Sequence, residues 1–358
     1  RGVVEIRRGC SRGCRFCQAG MIYRPVRERP HEEIVETVDA LLENCGYDEI
    51  SLLSLCTSDY PGIEKLVDDL THRHPELTVS LPSLRLDSFS VGLVSSLPSR
   101  RRSGLTFAPE AGSERLRNVI NKVTSEDDIL ATAATAFERG WTGLKLYFML
   151  GLPTETRDDV ESIVRLVSRI QQGGSRAMRP QLRVSLATYV PKPHTPFQWV
   201  AQVNEEELNA RHELVRQGLR RTGVKLAWSD PRVSLLEAVL SRGDRRLGKV
   251  IYRAWQSGAV MDAWTEHFNY SKWQVAFEES GLAPEFYARR ERELEELMPW
   301  SHIDLGIRPE YLVREYRRAQ DAKATPDCRQ QACNSCGFEE WLPQCRQKLG
   351  GAGFAEDS

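Results

Sequence analysis

The stretch Arg8-Gly9-Cys10-Ser11-Arg12-Gly13-Cys14-Arg15-Phe16-Cys17-Gln18-Ala19-Gly20 sets three cysteines at C-x3-C-x2-C spacing in one short loop. The loop carries glycines and arginines and follows the apolar run Val3-Val4-Glu5-Ile6, so the three thiolates can converge on one centre. A [4Fe–4S] cubane is normally held by four thiolates; a loop that supplies three leaves one iron free to bind something else. An open position is what separates a catalytic metal site from a closed structural one. Three unligated thiols, or a zinc knuckle completed by a distant ligand, are the plainer readings of the same spacing.

Working outward, the chain has 358 residues and 41% hydrophobic content, enough for one large core or a barrel-sized domain with a smaller one. No run of 18 apolar residues and no charged-then-apolar leader is visible, so neither a transmembrane helix nor a signal peptide is expected. The sequence opens at Arg1 without a methionine, just before a strand, which leads us to expect a further N-terminal part. Nine cysteines without an export signal point to a reducing, cytoplasmic setting in which grouped thiols mean metal or catalysis. A net charge of −1 gives no strong overall pull on nucleic acid. Residues 1–30 nevertheless hold eight arginines against Glu5 and Glu28. Arginine there can offset the charge of a thiolate-bound cluster or receive substrate phosphates.

Strand and helix patterns then alternate. A helix from Pro30 to about Asn44 precedes a strand at Glu49–Leu55, and the step repeats with Ile63–His72, Leu77–Leu81, Ser88–Leu97 and Gly104–Ala108. Helices at Ser113–Asn121 and Glu126–Arg139, a strand at Leu144–Leu150, a helix at Asp158–Gln171 and a strand at Leu182–Val190 complete six strand–helix units. Such alternation predicts an α/β fold with a parallel sheet, and six units suit a (β/α)6 partial TIM barrel with function at the C-terminal ends of its strands. Beyond residue 200 we expect a mainly helical C-terminal region, with helices at Glu205–Thr222, Leu235–Arg242, Arg245–Gln256, Lys272–Glu279 and Pro284–Leu297 and one extra strand at Val224–Trp228. Its aromatic residues read as packing rather than base-stacking platforms. A Cys-rich segment spans 326–346 and a disordered tail 347–358.

Four further segments fall at strand ends. Ser54, Thr57 and Ser58 follow the second strand; Glu110, with Lys122 as its candidate partner, and Ser113 follow the fourth; Gly151-Leu152-Pro153 follows the fifth; Lys192 and His194 lie in a proline-rich exit from the sixth. Taken with the cysteine loop and its Phe16, residues 1–200 resemble the core of the radical S-adenosylmethionine (SAM) superfamily. The resemblance implies that Cys10, Cys14 and Cys17 bind a [4Fe–4S] cluster whose open iron chelates SAM. It implies SAM contacts from Phe16, Ser54, Ser58, Glu110, Ser113, Gly151, Leu152 and Pro153; the usual Gly-Gly-Glu of the second strand end is absent.

One-electron reduction, from a donor such as a flavodoxin or ferredoxin, would cleave SAM to a 5′-deoxyadenosyl radical, used to methylate or otherwise modify an unactivated carbon in an RNA or protein substrate. The whole chain resembles the cobalamin-binding type of these proteins. Cobalamin would then have to bind the missing N-terminal region, because no Asp-x-His-x-x-Gly loop occurs here. Cys328, Cys333, Cys336 and Cys345 offer a second site, for either another iron–sulfur cluster or zinc. Two alternatives stand beside this reading: a methylthiotransferase using an auxiliary cluster, and a zinc-containing RNA-binding protein without catalysis.

Overall fold

Strand β1 (Gly2–Glu5) pairs in parallel with β4 (Glu49–Leu53), and β4 with β5 (Thr78–Ser80), in the computed structural model, which describes residues 1–85, 90–93, 105–173, 180–342 and 345. Between β1 and β4, the short antiparallel pair β2 (Arg7–Arg8) and β3 (Arg27–Glu28) closes the neck of the cysteine loop. A second sheet runs β6 (Leu105–Glu110), β7 (Gly143–Leu150), β8 (Gln181–Thr188) and β9 (Lys225–Trp228), parallel throughout. All six expected strands are present, and β9 is the extra one. The chain is an α/β partial barrel followed by a mainly helical region and a Cys-rich tail.

Helices cover the outer face of both sheets. On the first lie α2 (His31–Cys45) and α3 (Ile63–Arg73), whose Ile34, Val35, Val38, Leu66 and Leu70 bury Val4, Ile50, Leu52 and Val79. On the second lie α5 (Glu126–Glu138), α6 (Arg157–Gln172) and α7 (Glu205–Leu219). The start of α6 is fixed locally, because Thr156 and Asp159 cap it reciprocally. Val160, Ile163, Val167 and Ile170 then recur at helical spacing, all within 1% exposure, each worth roughly 1.5–3 kcal/mol relative to exposure. Of the helix expected at Ser88–Leu97, residues 90–93 are helical and the rest lies outside the described residues, as does the tail expected at 347–358.

The later region departs from expectation twice. The segment expected to be helical from Pro284 to Leu297 forms a helix over Pro284–Ala288 alone. The Arg242 guanidinium takes the carbonyls of Ala288 and Arg290, and the Arg292 N–H goes to the carbonyl of Trp199, so the bonds that would continue the helix are spent elsewhere. Conversely, Pro309–Gln320 is a helix that the sequence reading passed over, although proline at its first position is a start signal. The aromatics divide as well: Trp273 and Tyr287 are buried, whereas Tyr252, Trp255 and Trp264 are more than half exposed.

Candidate metal centre

Cys10, Cys14 and Cys17 lie on the loop between β2 and β3, which must double back tightly. Gly9 stands at φ +86°, where a Cβ would fall 2.4 Å from the Pro25 carbonyl oxygen, so only glycine fits. Cys17 caps the short helix Gln18–Ile22, its Sγ accepting the Gly20 N–H at 3.3 Å, a donor suited to a thiolate. The thiols are near enough to act on one another. Burial pushes the Cys14 thiol up to about 12, Lys122 opposes this, and Cys17, Cys10 and Glu110 add to it. Cys17 is likewise pushed up by burial first.

Among the described residues, no three His, Cys, Asp or Glu donors stand close enough to share one metal ion. A cubane does not ask for that, since each thiolate binds a different iron. Three half-buried free thiols on one tight loop, one of them accepting the Gly20 N–H, suit a group that binds thiolates, so the donor set fits a cluster.

Both halves of the barrel fix the loop. Arg12 clasps Asp59 with two bonds of 3.1 and 2.7 Å at the end of β4, where Arg85 also reaches the same carboxylate. Asn121, at the end of the helix Glu114–Val119, donates to the carbonyls of Arg12 and Gly13. Arg15 is fully buried and binds Glu315 at 3.0 Å, the carbonyls of Asn118, Val119 and Lys323, and Thr325. Gln18 reaches the Pro193 carbonyl in the exit from β8. Asp59 and Arg15 were not singled out from sequence; the arginine content of residues 1–30 was the available signal.

The expected SAM residues are distributed as follows. Glu110, at φ +67°, ends β6 beside the thiols and is bound by Lys122 at 2.9 Å, the pair anticipated from sequence. Ser54 is buried in a turn, accepting the Cys56 N–H and donating to Thr57; Ser58 accepts the Arg85 N–H. Ser113 caps its helix and binds Asp159, which also holds Arg115. Phe16 packs against the buried cluster that includes Leu152 and Ala111, as Met149 also does. The Gly151 N–H goes to Glu155, whose carboxyl burial pushes up to about 7 against that bond and Arg211. Pro153 is buried in the same turn. His194 has its imidazole pushed down by burial, and Lys192 is paired with Glu237.

The tail folds back on this loop. Asp327 lies 3.5 Å from Arg12, Arg329 binds Glu28 at 2.7 Å, and Thr325 donates its N–H to Asn121. Arg24 is buried between the two cysteine groups. One guanidinium nitrogen would stand 3.6 Å from a Cβ on Gly13, while Tyr311, Cys336 and Cys328 outweigh burial and hold the group protonated. Burial pushes the Cys328 thiol up to about 11, with Cys336 and Cys333 contributing. Cys345 is described, but most residues around it are not.

A three-thiol loop at the mouth of a parallel partial barrel defines a cluster-bearing α/β protein. Residues 4–167 match the model of the radical SAM superfamily, so that stretch is a radical SAM domain. An uncharacterized protein of Methanocaldococcus jannaschii is 30% identical over 282 residues, 78% of this chain and 60% of its own. The ribosomal protein uS12 methylthiotransferase RimO of a Thermotoga strain is 27% identical over 179 residues, 47% of this chain and 41% of its own. The chain thus spans between about two fifths and three fifths of these relatives. Among solved structures, the radical SAM methyltransferase TsrM of Kitasatospora setae aligns at 16% identity and TM-score 0.39, covering 52% of this chain and 34% of that one. A radical SAM domain in general implies a [4Fe–4S] cluster, SAM and an electron donor. No described helix is long and apolar enough to cross a membrane.

Proposed function

We propose that this chain is the catalytic part of a radical SAM enzyme that methylates or otherwise modifies an unactivated carbon. The observation that carries the reading is the set of three thiols at the mouth of the barrel with Glu110 and Lys122 beside them. When bound, the cluster and SAM supply an electron and a 5′-deoxyadenosyl radical. The chain's own residues hold, orient and exclude water. Cys10, Cys14 and Cys17 are the cluster ligands, and Arg12, Arg15 and Asn121 keep their loop in place.

Glu110 is the polar candidate for SAM least occupied by local duty, since its partner is the flexible Lys122, while Ser54 and Ser113 spend their hydroxyls within turns and caps. Ser58, Phe16 and Gly151–Pro153 complete the proposed surround. A flavodoxin or ferredoxin is the proposed donor, and any cobalamin belongs to a region outside this chain.

Cys328, Cys333 and Cys336, with Cys345, are proposed as a second metal site. Cys328 and Cys336 stand near Arg24, beside the first loop, which favours a methylthiotransferase as the second reading, together with the match to RimO.

The test is spectroscopic. Anaerobically reconstituted protein, reduced and frozen with and without SAM, should give an electron paramagnetic resonance signal that SAM alters. Glu110→Gln should keep its iron yet need more SAM for the same change. A cluster signal indifferent to SAM would overturn the proposal.

A further inference from the structure

On the second sheet, Leu144, Leu146, Phe148 and Leu150 of β7 and Leu182, Val184 and Leu186 of β8 face the helices. The alternate residues therefore line the opposite, inner face of the partial barrel. There the register sets Thr106 beside Lys145, Lys145 beside Arg183, and Arg183 beside Lys225. Strands lie about 4.8 Å apart, so the three cations form a row spanning about 10 Å. Arg183 and Lys225 are exposed and Lys145 is half-buried, its ammonium 4.5 Å from the Tyr147 ring centroid. Among the described residues, no acidic group pairs with any of the three. Like charges directly opposite one another on neighbouring strands destabilise a sheet, so the row calls for an anion.

The rows above it are of another character. Tyr147, Ser185 and Ala227 come next, then Met149 with Ala187, and Met149 packs against the same buried cluster as Phe16 of the cysteine loop. Lys145 lies four residues back from Met149, about 13 Å along the strand. The inner wall is thus cationic at its foot and uncharged along the way up to the cluster site.

We propose that this row binds phosphate groups of the substrate, holding them about 13 Å below Met149 along the inner wall. The proposal rests on the radical SAM reading for which end of the wall is reactive. Three adjacent cations on rigid strands match the charge density of phosphates, with the Arg183 fork between two lysine point charges. The phosphates belong either to a free phosphate ester or to a single-stranded RNA backbone.

The test compares the reconstituted protein with the triple variant Lys145→Gln/Arg183→Gln/Lys225→Gln, using pyrophosphate, a short fluorescent single-stranded RNA and a polyglutamate peptide as probes. Arg183→Gln and Lys225→Gln alone serve if the triple variant does not fold. Wild type should bind a phosphate probe, and the triple variant should bind it about tenfold or more weaker, with a salt slope for RNA smaller by about 2, at ~0.7 per lost contact.

Binding of RNA but not pyrophosphate assigns the backbone; the reverse assigns a free ester. Equal binding by both proteins, no binding of either phosphate probe, or preference for polyglutamate overturns the proposal. Substrate-free 5′-deoxyadenosine formation is read separately in both proteins. Its absence from both proteins, with phosphate binding lost in the variant, would sink the radical reading and leave the row standing.

Discussion

Arg15 follows Cys14 directly, yet its side chain turns away from the three thiols and is spent entirely on structure. It satisfies two carbonyls at the end of the helix Glu114–Val119 and binds Glu315, 300 residues away. Both partners are fully buried, so removing one strands the other's charge. Arg15→Met should cost about 3–5 kcal/mol in urea unfolding, and adding Glu315→Leu should recover most of it. A loss below about 1 kcal/mol for the single variant would contradict this account.

The cysteine motif itself was readable because its three cysteines are neighbours in sequence and their spacing is the signal. Arg15 was not, because nothing local distinguishes an arginine that joins two ends of a chain from one that faces a cluster. Asp59 is the same lesson: the sequence drew attention to Ser54, Thr57 and Ser58, whereas the carboxylate beside them takes Arg12 and Arg85.

Elements were legible where periodicity was strong. Apolar strands alternating with capped amphipathic helices gave the parallel order of the core, and even β9 showed as a faint extra strand. The failures fall where tertiary contacts override the local pattern, as at Arg289–Leu297, or where a start signal stood without neighbours to support it, as at Pro309.

Helix α7 shows what packing does to chemistry. His212 is buried against the helix-facing side of β9, its ring stacked on Trp228 at 5.0 Å, and neither ring nitrogen has a partner among the described residues. Burial pushes its imidazole down to about 4. The folded chain therefore keeps it neutral while the unfolded chain protonates near its ordinary value, about 6.5. Stability should fall as pH drops from about 6.5 towards 4, by at most about 3 kcal/mol, and be unaffected by this group above that window. Glu155, raised to about 7, acts with the opposite sign, gaining stability as pH falls through it. The histidine is isolated by comparison: His212→Phe should flatten the acid limb relative to wild type, and parallel pH profiles would refute the assignment.

At the scale of the molecule, the tail is the part least visible in sequence. Four cysteines announced a site, but not that the segment from Lys323 to Cys336 would lie against the first cysteine loop through Arg12, Arg15, Arg24 and Asn121. That arrangement couples two groups separated by nearly the whole chain. Cys333→Ser/Cys336→Ser should lose metal from the tail and, because the tail braces the loop, lower the melting temperature as well. Unchanged metal content and melting would show that the tail cysteines are simply free thiols.

The central claim is that the loop at Cys10–Cys17 generates a radical from SAM. The most direct measurement is 5′-deoxyadenosine formation by the anaerobically reconstituted chain with SAM and dithionite, against Cys14→Ala prepared in parallel. The account predicts 5′-deoxyadenosine from wild type and none from the variant. Equal amounts from both, or a wild-type loop that takes zinc in place of iron, would contradict it.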